Sequence, residues 1–414
     1  PATVRNVFWE TVITYPTVRQ HRQQCPSSAG SSLVATVTVM ITSFDDYPIH
    51  QTVQPIFHTA SSDRFHYDRY WYNAHAKDGS FYFGVGMCRY PNLGILDGSL
   101  SLAIDGRQYA FHGSCRAPHE PTDLSIGPME LQILEPMGRH RLIIADNETG
   151  ISCDLLFTPR TSCLEEGRQT LRNERHVVMD ATRLDQFGFW SGWIRYDGKE
   201  LVVDGATTFG IKDRSWGIRP VGDAYTGGAP LAEFQAVHFN WAPIHWEDEC
   251  SLAGWFEDGE GYQWHTDQGF LPHYASMDEI PGTNDPAART WNGKVEHKLN
   301  MIAGTRRASS AVITMNDKSG ESLEISLEPV MLHRMKGLGY QHPEWGHGKW
   351  HGELVISGES WTDSDLDPLA LENLHIQQIV IARCGDKIGH GVLEQMHIGP
   401  SASHGFADWF DGAT

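Results

Sequence analysis

Several familiar signatures are missing from this sequence. The seven cysteines, Cys25, Cys88, Cys115, Cys153, Cys163, Cys250 and Cys384, are odd in number and widely spaced. No CxxC occurs, which argues against a zinc knuckle and a thioredoxin-type redox pair and favours reduced, mostly buried thiols in the cytoplasm. Phe83-Gly84-Val85-Gly86 lacks the third glycine of a dinucleotide loop and opens no helical pattern. Neither GxxxxGK[ST] nor the GxSxG elbow of serine hydrolases is present. Basic charge is scarce: 32 Lys and Arg stand against 52 Asp and Glu, a formal charge of -20. Such a surface repels phosphate backbones and anionic lipid, so nucleic acid is not an expected partner. The apolar run from Ser32 to Ile41 is far too short for a transmembrane helix.

Residues 1–39 read differently from the rest and contain the low-complexity patch PSSAGSS. They are expected to be a leader outside the fold, with Met40 as the natural start. An export signal is the alternative, although no small-residue cleavage site follows the apolar run.

Helical periodicity is also nearly absent, and hairpins take its place. Short alternating runs rich in β-branched and aromatic residues meet at turn dipeptides. Ser99–Ile104 turns at Asp105-Gly106 into Arg107. Arg139–Ala145 turns through Asn147–Gly150 into Ile151. Gly192–Tyr196 turns at Asp197-Gly198 into Lys199. Leu252–Phe256 turns at Asp258-Gly259 towards Tyr262. Ala311–Met315 turns through Asp317–Gly320 into Leu323, and Ile376–Arg383 turns at Gly385-Asp386 into Lys387. Six hairpins over both halves predict an all-β protein, with one short helix near Pro368–Leu374. A chain of 414 residues that is 40% hydrophobic needs two barrels or sandwiches rather than one. The Gly- and Pro-rich segment Gly217–Pro230 marks the expected junction, dividing the chain into 40–216, 217–400 and a tail, 401–414.

Four constellations carry candidate chemistry. In Asp68–His75, alternation places Tyr70, Tyr72 and Ala74 on one face and Trp71, Asn73 and His75 on the other. In the strand Ala236–Trp241, His238 and Asn240 share a face, with Phe239 and Trp241 opposite. Gly339–Glu353 gathers His342, Glu344, His347 and His351, but the spacing is HxExxH and Pro343 with three glycines argues against a metalloprotease helix. Lastly, Ile211–Pro220, IKDRSWGIRP, follows an alternating strand. Asp213, Ser215 and Gly217 face one way, and Arg214, Trp216 and Ile218 the other. On residues alone it reads equally as a surface ion pair and as a buried acid beside an aromatic face.

DRSWGIRP, with RYWYN and FYFGVGMCRYPNLGILDG upstream and HPEWGHG downstream, resembles the AttH-like proteins related to carotenoid 1,2-hydratase (hydroxyneurosporene synthase). The resemblance runs over most of residues 41–400. It implies two tandem lipocalin-like β-barrels packed side by side, with a ligand cavity inside a barrel or between them. It also implies cofactor-free chemistry on a hydrophobic isoprenoid, steroid-like or aromatic molecule.

The expected function is a cofactor-independent hydratase, lyase or isomerase; the alternative is a non-catalytic carrier of a hydrophobic ligand. Asp213 is the expected acid, with His238 or His342 activating water. Arg214, Trp216, Arg219, Tyr70, Tyr72, Asn73, Asn240, Trp241, Glu344 and His347 are expected to contact substrate. No metal and no cofactor is expected; besides the small molecule, a second copy of the chain is the one partner considered.

Overall fold

In chain order the strands of the computed structural model are β1 (His66–Ala76), β2 (Phe81–Tyr90), β3 (Ile95–Ile104), β4 (Arg107–Arg116), β5 (Ser125–Ile126), β6 (Met129–Ile133), β7 (His140–Ile144) and β8 (Ser152–Pro159). They continue with β9 (Leu164–Glu165), β10 (Gln169–Asn173), β11 (His176–Tyr196), β12 (Lys199–Val203), β13 (Thr208–Ile218), β14 (Val237–His245), β15 (Glu249–Glu257) and β16 (Gln263–Pro272). The last are β17 (Arg289–Trp291), β18 (Glu296–Met301), β19 (Ala308–Asn316), β20 (Ser322–Arg334), β21 (Leu354–Thr362), β22 (His375–Cys384) and β23 (Lys387–Ile398). The structure describes residues 43–48, 53, 55–223, 235–316 and 322–414. The expected leader, Met40, residues 224–230 of the expected junction and the turn at 317–320 lie outside them.

The strands form two antiparallel sheets, one of 14 strands (β1–β13 and β21) and one of nine (β14–β20, β22 and β23). The expected class, all-β with two lipocalin-like barrels, is the one observed: one nearly closed barrel and one half-barrel. All six hairpins read from the turns are present as β3–β4, β7–β8, β11–β12, β15–β16, β19–β20 and β22–β23. Asp105-Gly106 and Asp197-Gly198 both have φ > 0 at their two central positions, 53° and 74°, then 47° and 71°. That is the type I′ geometry whose twist matches the flanking strands.

Two features differ from the sequence reading. Pro368–Leu374 forms no α-helix, only the 3-10 turn Leu371–Asn373, because tertiary contacts claim its backbone: Arg334 Nη1 donates to the Asn373 carbonyl at 2.5 Å. Strand β21, from the second half of the chain, pairs with β4 at the edge of the first sheet. The segment between β20 and β21 therefore lies across the outer face of β2–β4. Gly84 makes room for it: a Cβ there would stand 2.6 Å from Leu338 Cδ1.

Alternation on β1 and β13 sets two environments. Tyr70, Tyr72 and Ala74 point into the first barrel with Phe83, Leu100, Phe157 and Trp190. Trp71, Phe187 and Ile211 point outward and pack on Phe239, Trp241, Leu252 and Val392 of the second sheet. Each fully buried side chain of this size contributes about 1.5–3 kcal/mol, so the layer between the sheets is a second core. The six described cysteines are unpaired, five buried and Cys384 partly so. Among the described residues no helix is long and apolar enough to cross a membrane.

Candidate functional site between the two sheets

The motif IKDRSWGIRP lies on β13, and its two faces have different fates. Inward, Lys212 Nζ stands 3.3 Å from Asp46 Oδ1, and His140 Nε2 is 2.7 Å from Asp46 Oδ2; all three are fully buried. Burial alone would raise the Asp46 carboxyl, but His140 and Lys212 pull it well below the usual range. Tyr72 shares a 2.5 Å hydrogen bond with His140 Nδ1, and Tyr70 donates to the Asp46 carbonyl. Arg214 pairs with Asp68 and stacks 4.1 Å from the Tyr70 ring. Trp216 packs on Met137, Cys163 and Leu184. Every charge on this face has its counter-charge.

Outward, Asp213 sits opposite Trp71 on β1 and Asp185 on β11. Its Oδ2 is 3.0 Å from Arg183 Nε, while Oδ1 is buried with no hydrogen-bond partner among the described residues. Burial pushes the Asp213 carboxyl up to about 6; Arg183 pulls the other way, and Glu166 and Glu394 add to the push. Arg183 also approaches Glu166 at 3.5 Å. Three carboxyls thus face one guanidinium. Asp185, fully buried, is held well above the usual carboxylate range by burial and by Glu166. Arg183 stacks over Trp241 at 5.5 Å, and Trp71 meets Trp241 edge to face at 5.9 Å. The aromatic faces beside Asp213 are therefore Trp71 and Trp241; Trp216 is on the opposite side of β13.

A second group in the same layer surrounds Tyr340. His375 lies 4.6 Å from its ring, His347 4.5 Å, and the guanidiniums of Arg69 and Arg219 5.0 and 5.9 Å. His375 Nε2 is 2.5 Å from Glu394 Oε1, and Gln377 Nε2 donates to Glu394 Oε2 at 2.5 Å. Gln377 is itself fixed from the first sheet, accepting from Tyr82 Oη at 2.7 Å and Asn73 Nδ2 at 3.1 Å. The carboxylate holds the proton of His375 on Nε2, which leaves Nδ1 as a buried lone pair with no partner among the described residues. His347 donates from Nε2 to the Leu338 carbonyl and accepts from Arg219 at Nδ1, 3.2 Å away; burial first, then Arg69 and Arg219, keep it neutral.

A small cleft opens beside this group, lined in part by Asp97, Ser99, His112, Leu338, His347 and His351. At its side His112 Nε2 and His342 Nε2 reach the same oxygen of Glu359, at 2.9 and 3.1 Å. These three could be read as metal ligands. The hydrogen bonds disfavour it: His342 Nδ1 accepts the backbone N–H of both Glu344 and Trp345, so the ring proton sits on Nε2 and points at Glu359. That tautomer offers a metal no lone pair there. The two histidines hold Glu359 down to about 2 although burial alone would raise it.

Asp213, Asn73, Trp241, Arg219 and His347 are thus gathered in the inter-sheet layer. Tyr70, Tyr72, Arg214 and Trp216 lie on the inward side of the first sheet, and His342 flanks the cleft while Glu344 is exposed. His238 and Asn240 face into the second barrel, where His238 Nε2 donates to the Pro400 carbonyl and His397 Nε2 to Asn240 Oδ1. The structure does not bring His238 or His342 to Asp213. Sequence reasoning missed Arg69, Arg183, Asp185, Tyr340, His375 and Glu394. Arg69 precedes Tyr70 in a stretch already singled out, and Arg183 and Asp185 share one face of β11 with the same alternation as Asp213. His375 and Glu394 carry no local signal, since their pairing depends on the β22–β23 register.

An all-β protein of two barrel-like sheets with a polar group buried between them is the class these observations define. The chain belongs to a family of unknown function (DUF8625), whose model matches residues 41–407. No curated protein matches it. Among solved structures it is similar to kievitone hydratase from Nectria haematococca, at 10% identity and TM-score 0.46, covering 80% of this chain and 88% of that one. It is also similar to CghA, at 10% identity and TM-score 0.46 over 82% and 90% of the two chains. With CghA bound to Sch210972 the values are 11%, 0.43, 81% and 89%. These likenesses say nothing of site or substrate.

Proposed function

We propose that the protein is a cofactor-independent hydratase, lyase or isomerase that works by proton transfer on a hydrophobic small molecule in the layer between its two sheets. One observation carries this reading: the layer holds a carboxyl and an imidazole, each with an atom that has no hydrogen-bond partner among the described residues. Asp213, poised near pH 6, has a free Oδ1; His375, oriented by Glu394, has a free Nδ1. In the addition direction the Asp213 O–H proton goes to one alkene carbon, and the cation forms at its neighbour beside Trp71 and Trp241. Water then adds to that carbon and gives its proton to His375 Nδ1. In isomerisation His375 takes the proton from the carbon next to the cation instead. Solvent exchange returns both groups to their starting states.

The test is deuterium incorporation. The protein is incubated in D2O with a panel of terpenoid, steroid and aryl alkenes and the matching tertiary alcohols, and products are read by mass spectrometry. At least one compound should gain carbon-bound deuterium with the wild type and not with Asp213→Asn. If no compound is labelled while a hydrophobic molecule co-purifies unchanged, the protein is a carrier and the catalytic reading falls.

A further inference from the structure

The layer holds two cations that this proton transfer does not use. Six arginines are buried: Arg69, Arg89, Arg160, Arg214, Arg306 and Arg334. Arg214, Arg306 and Arg334 pair with Asp68, Asp411 and Asp363. Arg89 donates to the Pro118 carbonyl, and Arg160 Nη1 lies 3.4 Å from His245 Nδ1. Arg69, 2% exposed, has neither a carboxylate in reach nor an acceptor for Nε and Nη2 among the described residues. Arg219 also lacks a carboxylate; its Nη2 reaches only a neutral histidine nitrogen, and its Nε has no partner.

Both guanidiniums flank the ring of Tyr340. Asp97, which both guanidiniums influence without an ion pair, is already engaged: it accepts from Tyr90 Oη at 3.2 Å and from the Gly348 N–H at 2.8 Å. Gly86 supplies the space for Arg69, since a Cβ there would stand 2.8 Å from Nη2 and 3.3 Å from Ser99 Oγ, a residue of the cleft wall. Burying a guanidinium without an acceptor is costly, and burying two together costs more. A structural role would be served better by glutamine or methionine.

We propose that Arg69 and Arg219 form a carboxylate subsite, so that the molecule handled in the inter-sheet layer is an apolar acid. Its carboxylate lies on the two planar forks, which suit bidentate binding, and its apolar body lies along Tyr340 towards Trp71. This extends the reading of the layer as the active site by naming a substrate class.

The test is calorimetric binding of naphthoic, dehydroabietic and cholanic acids, each against its own methyl ester. At least one acid should bind about tenfold or more tightly than its ester, as expected for a charge-assisted hydrogen-bonded pair. Arg69→Gln and Arg219→Gln should each remove that preference, weakening acid binding about tenfold or more and ester binding much less. Circular dichroism checks the fold, and Arg219, which is only half-buried, carries the test if Arg69→Gln does not fold. The proposal is overturned if no acid is preferred, or if the preference survives both variants. Acid preference without deuterium labelling would keep the subsite and remove the catalytic reading; labelling without acid preference would do the reverse.

Discussion

The two faces of β1 and β13 carry similar residues in different states. Inside the first barrel, Lys212 and His140 meet Asp46, and Arg214 meets Asp68. On the other face, one residue away along the same strands, Asp213 shares one arginine with Glu166, and its Oδ1 has no hydrogen-bond partner among the described residues, where Arg69 likewise makes no ion pair. Breaking a buried pair is costly, so matched charges lock a fold. Unmatched ones cost stability and persist where something outside the chain completes them. The inward face is scaffold on this account, and the outward face is the site.

The largest effect that would break this contrast is on turnover. Asp213→Asn should lower the rate about 10²–10⁴-fold, the usual share of a general acid, with melting little changed because Arg183 retains Glu166. Lys212→Met should do the opposite. It strips Asp46 of one partner and should cost about 3–5 kcal/mol of stability, read by urea unfolding, while folded molecules keep their rate. Gln377→Leu sharpens the contrast because it spans both sheets. Losing its hold on Glu394 should slow turnover about tenfold and shift the pH–rate profile, and unpairing Tyr82 and Asn73 should cost about 1–3 kcal/mol per group.

Acid stability gives the smallest effect. His75, His333 and His404 are depressed to about 3, chiefly by burial, from an ordinary 6.5. The unfolded chain therefore takes up protons first, and stability should fall as pH drops from about 6.5 towards 3. Asp213 and Asp97, raised by burial to about 6 from 3.8, work the other way between those values. Melting temperature should fall between pH 7 and 5, and Asp213→Asn, which removes an opposing group, should steepen the fall.

The fold was legible because hairpins are local. Asp105-Gly106 and Asp197-Gly198 dictate their turns, and alternation on β1 correctly separated Tyr70 and Tyr72 from Trp71 and Asn73. The place of β21 was not legible, since an edge strand joins its sheet through β4, more than 200 residues away in sequence. The site was half legible for the same reason. Asp213 announced itself in a charged motif beside a strand, but its counterparts reach it across registers that no local pattern encodes. Arg183 meets Asp213 only through the β11–β13 register, and Glu394–His375 only once the two sheets are stacked.

Unmatched charge between the sheets, on this reading, is kept for a ligand and not for the fold. Side-by-side calorimetric melting of Arg69→Met and Lys212→Met, without ligand, tests it most directly. Arg69→Met should melt at or above the wild-type temperature while Lys212→Met melts several degrees below it. If Arg69→Met loses as much as Lys212→Met, the outward face is scaffold too, and the claim is contradicted.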